Sequence, residues 1–154
     1  MHNRSLSVYR LKGLKIMKPE IKILKWSLFA GGIYFILISI VHLIGIKIPG
    51  LYIYFNVPSY AYQDKITSFL TFGWAVFFIQ ASHDPKKNIH LVRSILIAGL
   101  AAILVLSYIN LSTNFNDLSP NINITVYWIQ VGVLTIYLFW LGVYYRKVKS
   151  TIKS

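Results

Sequence analysis

The chain has 154 residues, of which 56% are hydrophobic and 13% charged, and its mean hydropathy is +0.58, which excludes an ordinary soluble domain. Sixteen Lys and Arg against four Asp and Glu give a formal charge of +12, but these cations flank hydrophobic runs instead of interleaving with exposed aromatics, which argues against a nucleic-acid groove. With no cysteine, disulfides, thiolate nucleophiles, iron–sulfur clusters and Cys-type zinc sites are excluded.

Residues 1–22 read as a basic cytoplasmic extension, within which Met17 opens a shorter reading frame. A hydrocarbon core about 30 Å thick takes about 20 apolar residues at 1.5 Å per residue. Four segments meet that length: about 26–46, 66–82, 91–111 and 122–145, none containing an acidic residue. Together they define a transmembrane domain over 23–146, followed by a basic cytoplasmic tail over 147–154. The first segment is too long for a signal peptide and lacks a small-residue cleavage pattern, so it reads as a retained anchor. The expected fold is therefore an all-α integral membrane bundle of four transmembrane helices.

Lys and Arg close to a span resist translocation and so report orientation. Seven precede the first span, and Lys86, Lys87 and Arg93 mark the second connection. Arg146, Lys147, Lys149 and Lys153 follow the last span, leaving Lys47 and Lys65 alone on the other side. Four spans thus put fourteen cations on the cytoplasmic side and two outside, with both termini inside. Three spans with a re-entrant second segment would place the tail cations outside. Trp26, Trp128 and Trp140 sit at span boundaries, where amphipathic rings favour the headgroup level, and Trp74 reads as a packing residue. The first outer connection carries Tyr52, Tyr54, Phe55, Tyr60 and Tyr62, with Pro49 and Pro58 breaking regular structure, and is expected to be an ordered aromatic cap lying on the outer interface or folded over the bundle mouth.

Small and polar residues mark inner seams in lipid, where apolar burial gives no contrast with the tails. Helical periodicity collects Ser27, Gly31, Ser39, His42 and Gly45 on one face of the first span. It aligns Gly73, Gln80 and His83 on the second, and Ser94, Ala98, Ala102 and Asn110 on the third. On the fourth it aligns Thr125, Gly132, Thr135 and Gly142, with Gln130 pointing away toward a second contact such as another subunit.

Depth then brings two polar clusters together. The outer one contains His42, Gln63, Asp64, Asn110 and Asn114 beneath Tyr60 and Tyr62. It is either a neutral interhelical hydrogen-bond tie or a ligand or proton site with His42 accepting and Asp64 orienting it. The inner one contains Gln80, His83, Asp84, His90 and Arg93, which read as interfacial, Arg93 snorkelling and Asp84 forming a turn before Pro85. Two histidines are too few for a His-type metal site. No catalytic residue is assigned, since paired carboxylates, GxSxG, HExxH, phosphate-loop and dinucleotide motifs are all missing, and no cofactor or metal is expected.

The His42-Leu43-Ile44-Gly45 run on the first span, the long aromatic connection after it and the four-span plan resemble small bacterial membrane proteins of the DoxX-like or BphX-like type over residues 20–145. That resemblance implies an accessory membrane role. The plan also looks like the sterol-isomerase type of four-span bundle in span count, but that chemistry uses acidic residues within the spans, and none lies there in this chain. The leading expectation is a nonenzymatic, multi-pass protein of the bacterial cytoplasmic membrane, with the bilayer around it and a homo-oligomer or larger membrane complex as partner. The alternative is a binding or transport module for a small amphiphile or lipid in an outer cavity at His42, and an intramembrane enzyme is a third reading.

Overall fold

The computed structural model describes residues 17–118 and 122–153. Among them are four α-helices: α1 (Pro19–Ile44), α2 (Ala61–His83), α3 (Ile89–Ser112) and α4 (Ile124–Lys153), with a single 3-10 turn at Phe115–Asp117. Of the basic extension, residues 1–16 lie outside the described residues, Lys18 precedes α1, and Lys22 already belongs to it.

Local chemistry sets the helix ends. Pro19 opens α1, where its missing N–H removes a donor that has no intrahelical partner anyway, and Glu20 sits in the first turn, where the helix dipole favours an anion. Gly45 closes α1 at φ 75°, a left-handed conformation with no Cβ penalty, and the Ile46 N–H reaches back to the Val41 carbonyl at 3.0 Å. Between α2 and α3, Asp84 Oδ1 accepts the backbone N–H groups of Lys86 (3.1 Å) and Lys87 (3.2 Å). This turn forces α2 and α3 into antiparallel neighbours. The helices close a ring in which α1 packs on α2 and α4, and α3 on α2 and α4.

The helices hold 26, 23, 24 and 30 residues, or about 39, 35, 36 and 45 Å at the α-helical rise. Three are long and apolar enough to cross a membrane: Pro19–Ile44, Ile89–Ser112 and Ile124–Ile152. The expected span at 66–82 falls on α2, which has the length but not the apolarity, because Thr67, Ser68, Thr71, Gln80, Ser82 and His83 dilute its aromatic and aliphatic residues. At its far end α4 runs unbroken to Lys153, so residues 147–153 of the basic tail continue the last helix, and Val148 among them is fully buried.

The dry core lies at the end of the bundle where α1 begins and α4 finishes. Leu24, Leu28, Ala81, Val92, Leu141 and Val148 are sealed there. In mid-bundle the contacts are aromatic: Phe35 stacks on Trp74 at 6.1 Å and tilts against Phe78 at 5.3 Å, and Phe78 stacks on Tyr137 at 6.5 Å. Tyr137 donates to the Ser27 carbonyl at 2.8 Å and the Trp140 indole to Ser27 Oγ at 3.1 Å, joining α4 to α1.

This packing corrects several expected seams. Gly31, Ser39 and His42 do face inward on α1, and a Cβ on Gly31 would collide with the Tyr137 hydroxyl and the Phe78 ring. On α2, however, Gln80 and His83 are exposed and Gly73 has open space beside it. Ser94 and Ala102 on α3 are likewise exposed, and Gly99 instead receives Leu138. On α4 the expected sidedness is reversed. Gly132 and Gly142 face open space, and Gln130 points inward. The reason is that large side chains fill most of the contacts between these helices: Gly31 receives Phe78 and Tyr137, Gly99 receives Leu138, and Gly32 meets Ile79 and the α2 backbone at Ala75 and Ile79.

Candidate functional site

The outer connection enters the bundle. Gly50, at φ 89°, turns the chain so that its carbonyl accepts the Tyr34 hydroxyl at 2.8 Å. Tyr34 lies ten residues, or about 15 Å, before the end of α1, so the connection descends along that helix. Lys47 Nζ closes the loop across its neck by donating to the Val57 carbonyl at 2.7 Å. From α4, the Gln130 amide meets the segment's backbone. In the orientation that satisfies both ends of the amide, it donates to the Ile53 carbonyl at 2.8 Å and accepts the Gly50 N–H at 3.1 Å. From α3, Asn110 Oδ1 accepts the Tyr54 hydroxyl at 3.1 Å. The Tyr54 ring stacks on Phe115 at 5.7 Å and meets Tyr127 edge-on at 5.0 Å.

Asp64, in the first turn of α2, is the hub. Its Oδ1 accepts the Tyr52 hydroxyl at 2.5 Å, and Ser59 Oγ lies 3.1 Å from both carboxylate oxygens. His42 stacks flat on the Tyr52 ring, with centroids 3.6 Å apart and planes at 26°. Its Nδ1 is 3.7 Å from Asp64 Oδ1, within ion-pair range but beyond a hydrogen bond. Tyr52, His42 and Asp64 are 4%, 8% and 9% exposed. One turn below, Ser39 Oγ donates to the Ser68 carbonyl at 3.0 Å and contacts Ser68 Oγ at 3.2 Å, extending the polar seam between α1 and α2.

A buried carboxylate is tolerated where hydroxyl donors and a nearby cation replace its hydration; Tyr52 and Ser59 are the donors and Lys47 is the nearby cation. The carboxylate acts back on its donor: burial first, and then donation to Asp64, pushes the Tyr52 phenol well above its ordinary value. Burial, with Tyr127 beside it, pushes Tyr54 up to about 12. Both phenols are therefore held as neutral hydrogen-bond donors. The Tyr52 ring fills the space beside His42, so the cluster is closed by the chain itself.

Of the residues expected in the outer cluster, His42 and Asp64 are brought together and Asn110 joins through Tyr54. Tyr60 and Tyr62 stack on each other at 5.8 Å and face away, 70% and 61% exposed. Gln63 is spent on the start of α2, where its side chain accepts the Tyr60 N–H at 3.1 Å, and Asn114 donates to Asp117 at 2.9 Å in the second outer connection. The members missed are Ser59, Lys47 and Gln130. Ser59 carries a legible signal, a hydroxyl just ahead of a helix whose first turn holds an acid, whereas Gln130 depends on the depth to which the connection descends.

The inner residues do not converge. Gln80, His83, His90 and Arg93 are all exposed, and Asp84 serves its own turn with Lys87 at 3.9 Å. Among the described residues no group of three or more His, Cys, Asp or Glu could hold a metal ion. No family model, curated protein or solved structure matches the chain.

Proposed function

We propose that the chain is a four-span membrane protein with both ends on the cytoplasmic side of the bacterial membrane, working as a nonenzymatic, self-associating or accessory subunit. The observation that carries this reading is the inverted burial of α2. Its buried face places Asp64, Ser68 and Ser82 beside Ala75, Phe78 and Ala81, while Ile66, Phe69, Leu70, Phe72, Val76 and Phe77 are exposed. Water would reverse that order, and a hydrocarbon surround favours it. With α2 crossing alongside the three more apolar helices, fourteen of the sixteen cations fall on one side. The nonenzymatic part rests on the closed outer cluster, whose hydroxyls and carboxylate are bonded within the chain, and the DoxX-like plan points the same way. Contact with partners is left to the outer helix faces, where Gly73, Gly132 and Gly142 leave room for another helix.

Native mass spectrometry of protein released from nanodiscs tests this. A discrete oligomer or a stoichiometric partner is the expected result, and a monomer at every protein density defeats it. A second reading, amphiphile binding at the outer cluster, is favoured by two buried nitrogens, His42 Nδ1 and Asn110 Nδ2, that have no hydrogen-bond partner among the described residues. It requires Tyr52 to withdraw. A co-purifying small molecule that disappears in His42→Ala supports it, and its absence from wild-type protein defeats it.

A further inference from the structure

The inner end of α1 carries a shallow, open groove of about 420 Å³ whose lining residues, Lys22, Ile23, Trp26, Ser27 and Ala30, all belong to that helix. Its walls are apolar, and the one cation among its lining residues is at the inner end. Ser27 ties the groove to α4, because its Oγ accepts the Trp140 indole at 3.1 Å. From Trp140 a chain of contacts runs inward along α4: Tyr144 lies 4.8 Å away, and Lys147 Nζ sits over the Tyr144 ring at 5.1 Å. Lys147 follows Trp140 by seven residues, which returns it to the same helix face about 10.5 Å farther in, and Lys22 precedes Ser27 by about 7.5 Å. Two lysines from adjacent helices therefore reach similar depth, below two tryptophans at interface level.

We infer that this groove is a binding site for an anionic phospholipid of the inner leaflet, its phosphate held between Lys22 and Lys147 and an acyl chain lying along Ile23, Trp26 and Ala30. Charge complementarity selects the occupant: two ammonium groups at headgroup depth with apolar wall above them fit a molecule that is anionic at one end and hydrocarbon at the other. Both lysines are exposed, and Lys147 lies over the Tyr144 ring in a cation–π contact on the helix beside the groove. The inference rests on the membrane-spanning reading.

The test uses full-length protein in vesicles of equal phosphatidylglycerol and phosphatidylcholine, followed by detergent extraction and native mass spectrometry. Wild-type protein should retain phosphatidylglycerol preferentially. Lys22→Gln with Lys147→Gln should lower that preference by about fivefold per lysine removed, with the thermal midpoint unchanged. Lys86→Gln with Lys87→Gln, an equal charge loss at the inner connection, should leave it intact. Equal retention of the two lipids, an unaltered preference in the Lys22 and Lys147 variant, or the same loss in the Lys86 and Lys87 variant overturns the site. So does displacement of the lipid by millimolar inorganic phosphate. Protein that floats with vesicles but shows no lipid preference defeats only the lipid site, whereas protein that fails to float defeats the membrane reading as well.

Discussion

The Tyr52 hydroxyl donates to Asp64 Oδ1 at 2.5 Å, joining a residue of the first outer connection to the first turn of α2 while the tyrosine ring lies flat on His42 of α1. Tyr52→Phe keeps the ring and removes the donor, leaving a buried carboxylate short of one partner. That should destabilise the folded protein by about 1–3 kcal/mol, with Ser59→Ala costing less because Ser59 is exposed. The measurement is the unfolding midpoint in a fixed mild detergent. A Tyr52→Phe midpoint equal to wild type would show that the bond contributes nothing to the stability of the folded protein.

The raised phenols set a limit in alkali. A group whose folded value lies above its unfolded value of about 10 contributes stability that is complete below that pH and is lost as pH rises through the folded value, about 12 for Tyr54. Tyrosinate absorbance followed on raising the pH should therefore show a late-titrating fraction that becomes ordinary when the protein is unfolded. In Tyr54→Phe that fraction should shrink. Titration of every tyrosine near 10 in folded protein would refute the burial of the connection.

How far the sequence carries can be judged from single residues. The meeting of His42 with Asp64 was legible, because both are polar residues at the same depth on consecutive helices. The stacking partner was not, since choosing Tyr52 over Tyr60 and Tyr62 depends on the Gly50 turn driving the connection inward, a three-dimensional event that alternation and composition do not encode. The inward face of α1 was legible from Gly31, Ser39 and His42. That of α4 was not, because small residues signal close approach only where no large ring has taken the contact, and here Tyr137 and Trp140 have taken it. The segment 66–82 reads as a span from its length and its freedom from charge, whereas its hydroxyls lower its hydropathy while Ile66, Phe69, Leu70, Phe72, Val76 and Phe77 keep its exposed face apolar.

Glycines separate the two kinds of helix face experimentally. Gly31→Ala places a methyl group against the Tyr137 hydroxyl and the Phe78 ring and should cost about 1–3 kcal/mol by overpacking. Gly132→Ala meets open space and removes a flexible residue from a helix, so the monomer should be unchanged or slightly more stable. If Gly132→Ala also dissociates an oligomer seen in wild type, the outer face of α4 is the interface. Equal effects of the two substitutions on the monomer would contradict the packing around Gly31.

The crossing of α2 can be tested directly, because the chain has no native cysteine to confuse labelling. Tyr62→Cys and Asn116→Cys probe the two outer connections, and Lys87→Cys and Lys149→Cys probe the inner side. All four positions are exposed, so protein packing does not block a reagent. With four spans, a membrane-impermeant maleimide applied to intact cells should label the first pair, and the second pair should react only after permeabilisation. If α2 enters and returns without crossing, every helix after it changes direction: Lys87→Cys and Lys149→Cys become reactive from outside and Asn116→Cys becomes protected. The two arrangements thus predict opposite patterns at three of the four positions. The cation distribution favours the first, since the second would place Lys86, Lys87, Arg93 and the cations at the end of α4 on the outer side.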